Sequence, residues 1–133
     1  MAELTETDLI WNRACGDDPL RSTPGDRALA DLLRAHGLTM NGGVLHAVEC
    51  LTTSDLSNAQ SGYRFFGLNA AASLLVYARA ILDAGADLDF HERQLDQQYV
   101  SLVPCDSFIV ERFEERLRSN PSAFSPLRPQ DAG

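Results

Sequence analysis

Apolar positions in this chain recur at three- and four-residue intervals, in segments separated by glycines, prolines or short hydroxyl-rich stretches. That is the pattern of amphipathic helices sharing a core. Thr5-Glu6-Thr7-Asp8 reads as a capping box that starts a helix to about Cys15, with Ile10, Trp11 and Ala14 inward and Gly16 as its stop. Asp17-Asp18-Pro19 is loop. Thr23-Pro24-Gly25-Asp26 starts a second helix with Pro24 in its first turn. Ala28, Leu29, Leu32, Leu33 and His36 give it an apolar face, and Gly37 reads as its left-handed stop. His36 then falls at a helix C-terminus, where a cation is favoured.

Asn41-Gly42-Gly43 is the strongest turn signal and opens a short apolar run, Val44 to Leu51, that ends in Thr52-Thr53-Ser54. Ser54 or Ser57 is placed to cap a helix carrying Leu56, Ala59, Tyr63 and Phe66. After the hinge at Gly67, Asn69 is placed to cap a helix from Ala70 to about Leu82. That helix is apolar on most sides, so it reads as the central, most buried one; Gly85 ends it. Asp87 or Asp89 caps the next, to Leu102, with Leu95, Tyr99 and Leu102 inward, and Pro104 breaks it. Asp106 or Ser107 caps the last, with Ile109, Phe113 and Leu117 on one face and Asn120-Pro121 as its stop.

Only Val100 to Val103 looks β-like, and no run alternates with period two between hairpin turns. The expected fold is therefore all-α: one compact domain of six or seven helices over residues 1–120, then an extended tail, 121–133. Pro121, Pro126 and Pro129 stiffen that tail, and Phe124 and Leu127 are able to pin it to the body.

Composition changes this picture little; charge changes it more. The 133 residues are 44% hydrophobic and 23% charged, as in ordinary globular chains. No apolar run reaches the roughly 18 residues of a membrane span, and Met-Ala-Glu-Leu-Thr-Glu lacks the basic region of a secretory leader. Three well-separated cysteines, Cys15, Cys50 and Cys105, suit reduced thiols in a cytoplasm. The net charge is −8, and all eleven basic residues are arginine. Such a chain repels nucleic acid and anionic membranes and favours a basic protein partner.

Nine acids crowd residues 83–115: Asp83, Asp87, Asp89, Glu92, Asp96, Asp106, Glu111, Glu114 and Glu115. Only Arg93 and Arg112 oppose them, so this segment carries −7 of the −8. Asp83/Asp87, Glu92/Asp96 and Glu111/Glu115 are like-charge pairs four apart, about 6 Å along a helix axis, which approximates the spacing of successive phosphates. A solvated surface is one reading of such a run and a protein-binding face is the other. Glu114 and Glu115 can each pair with Arg118, which neutralises part of it.

Two other stretches carry candidate chemistry. His46, Glu49 and Cys50 share a helix face and could serve as metal ligands or a Cys–His pair. With no fourth ligand, oxyanion hole or orienting group signalled, the expectation is packing, with no catalytic residue, metal or cofactor. His91 lies in the first turn of an acidic helix, away from any other histidine at ligand spacing. Asn41-Gly42-Gly43 could cradle an anion ahead of a helix, but lacks the preceding strand and Gly-x-Gly-x-x-Gly spacing of a nucleotide site. A tight turn with close backbone approach is the simpler reading.

Asn41-Gly42-Gly43, then Phe66-Gly67-Leu68 leading into Ala71, Ala72, Leu75 and Ala78, resembles the small bacterial family typified by the DNA-mimic protein of Neisseria. Leu95…Tyr99…Leu102 and Phe113…Leu117…Asn120-Pro121…Phe124 look like the family's C-terminal half, so the resemblance covers about Leu38 to Phe124. Val44-Leu45-His46-Ala47-Val48 departs from it, because the family there has Phe-x-Gln-Phe-Phe. The resemblance implies an all-helical fold without catalytic activity, and in one member an acidic face that binds a transcription regulator in place of DNA. The expected function is thus an acidic interaction module, with a DNA mimic as one form. Its partner would be a transcription regulator or, for an immunity or antitoxin protein, a nuclease toxin. A small enzyme or metal protein using His46, Glu49 and Cys50 is the alternative from another class. Self-association is left open, with Trp11 or the tail as interface.

Overall fold

Thr5 accepts a hydrogen bond from the Asp8 amide at 3.1 Å while the Asp8 carboxylate accepts one from the Thr5 amide at 3.0 Å, so the first helix begins on a complete capping box. In this computed structural model, which describes residues 5–16, 23–85 and 87–127, seven α-helices follow in order. They are α1 (Glu6–Cys15), α2 (Pro24–Gly42), α3 (Val44–Cys50), α4 (Thr53–Phe65), α5 (Asn69–Asp83), α6 (Leu88–Leu102) and α7 (Asp106–Ser119), and a 3-10 turn, Pro121–Ala123, succeeds them. Among the described residues there is no strand, and no helix is long and apolar enough to cross a membrane. The expected loop at Asp17-Asp18-Pro19 and the tail from residue 128, with Pro129, lie outside the described residues.

Helix α2 is the hub, a place the apolar pattern assigns to α5. It packs on α1, α3, α4 and the 3-10 turn, and buries Leu29, Leu32 and Ala35 completely. Its closest neighbour is α4, because Gly62 lets the backbones meet: a Cβ there would stand 2.5 Å from the Ala28 carbonyl oxygen. Helix α5 buries one face against α3, α4 and α6 and leaves the other in solvent.

Gly37 does not stop α2. The helix runs through it to Gly42, because Thr39 continues the buried face and its hydroxyl donates to the Ala35 carbonyl at 2.8 Å. His36 is accordingly a buried mid-helix residue, not a C-terminal one. The turn belongs to Gly43 alone, at φ 97°; Asn41 and Gly42 are the last residues of α2. Thr52, not Ser54 or Ser57, caps α4 by accepting from the Asp55 amide at 3.0 Å. Asn69 is the first residue of α5, and Cys105 precedes α7 without any side-chain cap. Gly67, at φ 77°, closes α4 as expected of a hinge: its amide donates to the Arg64 carbonyl and the Leu68 amide to that of Tyr63, a Schellman end.

Beyond Asn120 the chain stays on the body through Leu127. Phe124 is buried against Phe113 and Phe66, with ring centroids 5.5 and 6.5 Å away. A buried ion pair fixes the same segment to the other end of the sequence. Arg13 donates to Asp26 at 2.9 Å and to the Ser125 and Pro126 carbonyls, while Asp26 also accepts from the Ser125 amide and the Thr23 hydroxyl. Burial by itself would raise the Asp26 pKa, but the Thr23, Ser125 and Arg13 donors outweigh it and hold the carboxyl below its ordinary range.

Candidate functional site

Helix α6, with its cap Asp87, carries the largest net negative charge of the described helices, because only Arg93 opposes Asp87, Asp89, Glu92 and Asp96. Asp87 is its N-cap, accepting from the Phe90 amide at 3.3 Å, and Asp89 lies in its first turn, where negative charge offsets the unpaired amides. Leu95 and Tyr99 are buried and set the helix's rotation. Asp89, Glu92, Asp96 and Val100 then follow at three- and four-residue intervals along one flank. With Arg93 and Gln97 they line an open cleft of about 590 Å³. Among the described residues Asp89 and Glu92 have no ion-pair or side-chain hydrogen-bond partner, and Val100 is 54% exposed beside them.

The other acids are divided among tasks inside the protein. Asp96 reaches α3 and accepts from the Val44 amide at 2.9 Å. Asp83 pairs with Arg79 at 3.0 Å, and Asp106 accepts from His36 at 2.8 Å. Glu114 lies 4.0 Å from Arg118, and Glu115 pairs with Arg112 at 3.7 Å rather than with Arg118. Glu111 is exposed with no such partner among the described residues. In each of the three like-charge pairs four apart, at least one member is engaged within the fold. Helix α7 also offsets all but one charge of its four acids, Asp106, Glu111, Glu114 and Glu115, with Arg112, Arg116 and Arg118. The surplus charge is therefore concentrated on α6 and the turn before it.

The Asn-Gly-Gly stretch does hold an anion, and the anion is the protein's own. The Asp96 carboxylate sits at the first amide of α3, and a Cβ on Gly43 would lie 2.9 Å from its Oδ2. Gly42 is crowded by the His46 ring. His46 and Cys50 come within 3.7 Å, but the Cys50 Sγ is equally far from both ring nitrogens and so addresses neither lone pair. Glu49 and Cys50 are exposed, and among the described residues no group of three or more His, Cys, Asp or Glu side chains is placed to hold a metal ion. His91, in the first turn of α6, has its Nδ1 buried without a hydrogen-bond partner among the described residues, beside the Phe90 ring.

A second polar constellation runs through the core. The Asp106 carboxylate accepts from His36 Nε2 at 2.8 Å, which leaves Nδ1 of a neutral imidazole as an acceptor. Tyr99 then donates its hydroxyl to Nδ1 at 2.7 Å, and Tyr63 donates to the Tyr99 oxygen at 2.6 Å. Burial pushes the Tyr99 hydroxyl up to about 12 and that of Tyr63 well above its usual value, so both keep their protons at neutral pH. This chain joins α7, α2, α6 and α4. The sequence offers only a weak signal of it, namely polar-tipped residues at core positions of three apolar faces.

No family model, curated protein or solved structure matches this chain.

Proposed function

We propose that this protein is an acidic interaction module that docks the α6 cleft on a basic surface of a nucleic-acid-binding protein. The observation that carries this reading is the flank itself: Asp89 and Glu92 unpaired, Asp96 between helices, a single counter-charge in Arg93, and exposed Val100. An arginine or lysine of a partner fits such a cleft well. Its aliphatic stem covers the valine while its charged head meets two carboxylates that no internal group has neutralised.

The engaged acids argue for docking of this kind over a regular ladder of phosphate-like charges. Nucleic acid and anionic membranes are repelled by the same field. The partner class is a transcription regulator or a nuclease toxin, and the resemblance to the DNA-mimic family leads to the same class. No catalytic role is assigned to His46, Glu49 or Cys50, because the pair geometry lacks an aligned base.

Affinity capture from a lysate with mass spectrometry, at low and at moderate salt, tests the reading. Basic nucleic-acid-binding proteins are expected at low salt and lost as the ionic strength rises, and Glu92→Arg with Asp89→Arg should abolish their capture. Capture that ignores both salt and these reversals would sink the proposal.

A further inference from the structure

On the other side of α6 from Asp89, Glu92 and Asp96, the described residues form a groove without a formal charge. A groove between α5 and α6, lined among others by Ser73, Leu74, Tyr77, Gln94, Gln98 and Leu102, has no ionisable acid or base along it other than the Tyr77 phenol. Tyr77 is 52% exposed and Val76, beside it on α5, 45%. Phe90, one turn before Gln94 on α6, is 69% exposed. From Asn69 to Ala80 no exposed residue of α5 is charged; Arg79 is half-buried and turned to the Val48 carbonyl and Asp83. A helix apolar on most sides ordinarily has partners on most sides, and α5 lacks one here.

We infer that this α5–α6 face is where a second copy of the chain docks, through a two-fold axis that sets groove on groove. The charge distribution selects that occupant. Two molecules of net charge −8 repel through most faces, and a groove-on-groove contact keeps Asp89, Glu92 and Asp96, on the opposite flank of α6, away from each other. Gln94 and Gln98 each offer both donors and an acceptor, so the face complements itself across a two-fold axis, as an isologous interface requires. A basic partner would find no charge to meet. An exposed tyrosine and phenylalanine among uncharged polar groups is also the composition of an interface centre. Two neighbouring helices of this length present a face roughly 20 Å on a side, small against the ~800 Å² per partner of a standard interface. The dimer is therefore a weak one, whose population follows concentration.

Sedimentation equilibrium over a wide concentration range tests this, with circular dichroism to verify folding. The wild-type mass is expected to rise from monomer to dimer, and to rise more readily in added salt, because screening removes the net repulsion. That salt response has the opposite sign to the one expected of the acidic cleft, so the two surfaces fail or succeed separately. Tyr77→Glu should weaken association by at least about tenfold, whereas Met40→Glu, also exposed but near the end of α2, should leave it unchanged. A monomeric mass at every concentration up to about 1 mM overturns the inference. So does a folded Tyr77→Glu protein that associates as tightly as wild type.

Discussion

Asp96 occupies the space that a side chain on Gly43 would need. Its Oδ2 is 2.9 Å from where that Cβ would be, and its Oδ1 accepts the first amide of α3 at 2.9 Å. One glycine thus does two things: it turns the chain at φ 97°, ψ 172°, a region closed to other residues, and it admits a carboxylate from α6, more than fifty residues away. The same contact ties the turn between α2 and α3 to α6.

Gly43→Ala should consequently destabilise the protein by about 1–3 kcal/mol for the backbone conformation, and more for displacing Asp96. Gly37 supplies the matched control. It is helical and exposed, with nothing within 4 Å of a Cβ, so Gly37→Ala should stabilise by about 0.5–1 kcal/mol. Urea denaturation midpoints of the two variants should move in opposite directions. A shared direction would show that Gly43 is not the hinge.

Asp96→Ala should cost about 1 kcal/mol as the loss of a helix cap, with no partner present. Asp89→Ala and Glu92→Ala, on the same flank but unpaired, should stay within about 0.5 kcal/mol of wild type. In the Gly43→Ala background the Asp96 effect should shrink, because the first substitution has already moved the carboxylate. Equal stability losses at all three acids would refute this division of labour.

Local signals in the sequence were enough wherever the deciding partner lay nearby. Thr5 and Asp8, Asp87 at the start of α6, the Gly67 hinge, and the spacing of Ile109 and Phe113 all act within one or two turns, and each is where the pattern puts it. The failures share one cause. Gly37 reads as a stop after its apolar run, and only the burial of Thr39 beyond it, against other helices, carries α2 on to Gly42. The apolar excess of α5 suggested a central helix, whereas α2 holds the centre because Gly62 brings α4 against its backbone. The acids were legible as charge, but their separation into free and engaged groups depends on Arg79, His36 and the Val44 amide. The chain that runs from exposed Asp106 to buried Tyr63 was hidden for the same reason, since its bonded partners stand 36 to 70 residues apart.

That chain predicts an order of effects. Tyr99→Phe strands both His36 Nδ1 and the Tyr63 hydroxyl in the core, at about 1–3 kcal/mol for each group. Tyr63→Phe removes only the terminal donor and leaves Tyr99 still bonded to His36, so about 1 kcal/mol is expected. Guanidinium denaturation of the two variants decides it. If Tyr63→Phe proves the more damaging, the donor directions assigned along the chain are wrong.

Acid sensitivity should come in part from the opposite end of the molecule, at Asp26. Its carboxyl titrates below the ordinary value of 3.8 in the folded protein, because the donors from Thr23, Ser125 and Arg13 favour the ionised form more than burial disfavours it. The unfolded chain binds that proton more readily, so the contribution to stability is complete above about pH 4 and disappears as the pH falls through the folded value. Asp26→Asn removes the carboxylate that lies 2.9 Å from the Arg13 guanidinium, itself 7% exposed, and should cost on the order of 3 kcal/mol at neutral pH. Below about pH 4 the gap between wild type and variant should narrow, because protonation then does to the wild type what the substitution has already done. Thermal melts of both proteins from pH 7 to pH 3 measure that gap. A difference that stays constant across the range would mean that Asp26 is not the carboxylate holding Arg13 and the Ser125–Pro126 segment in place.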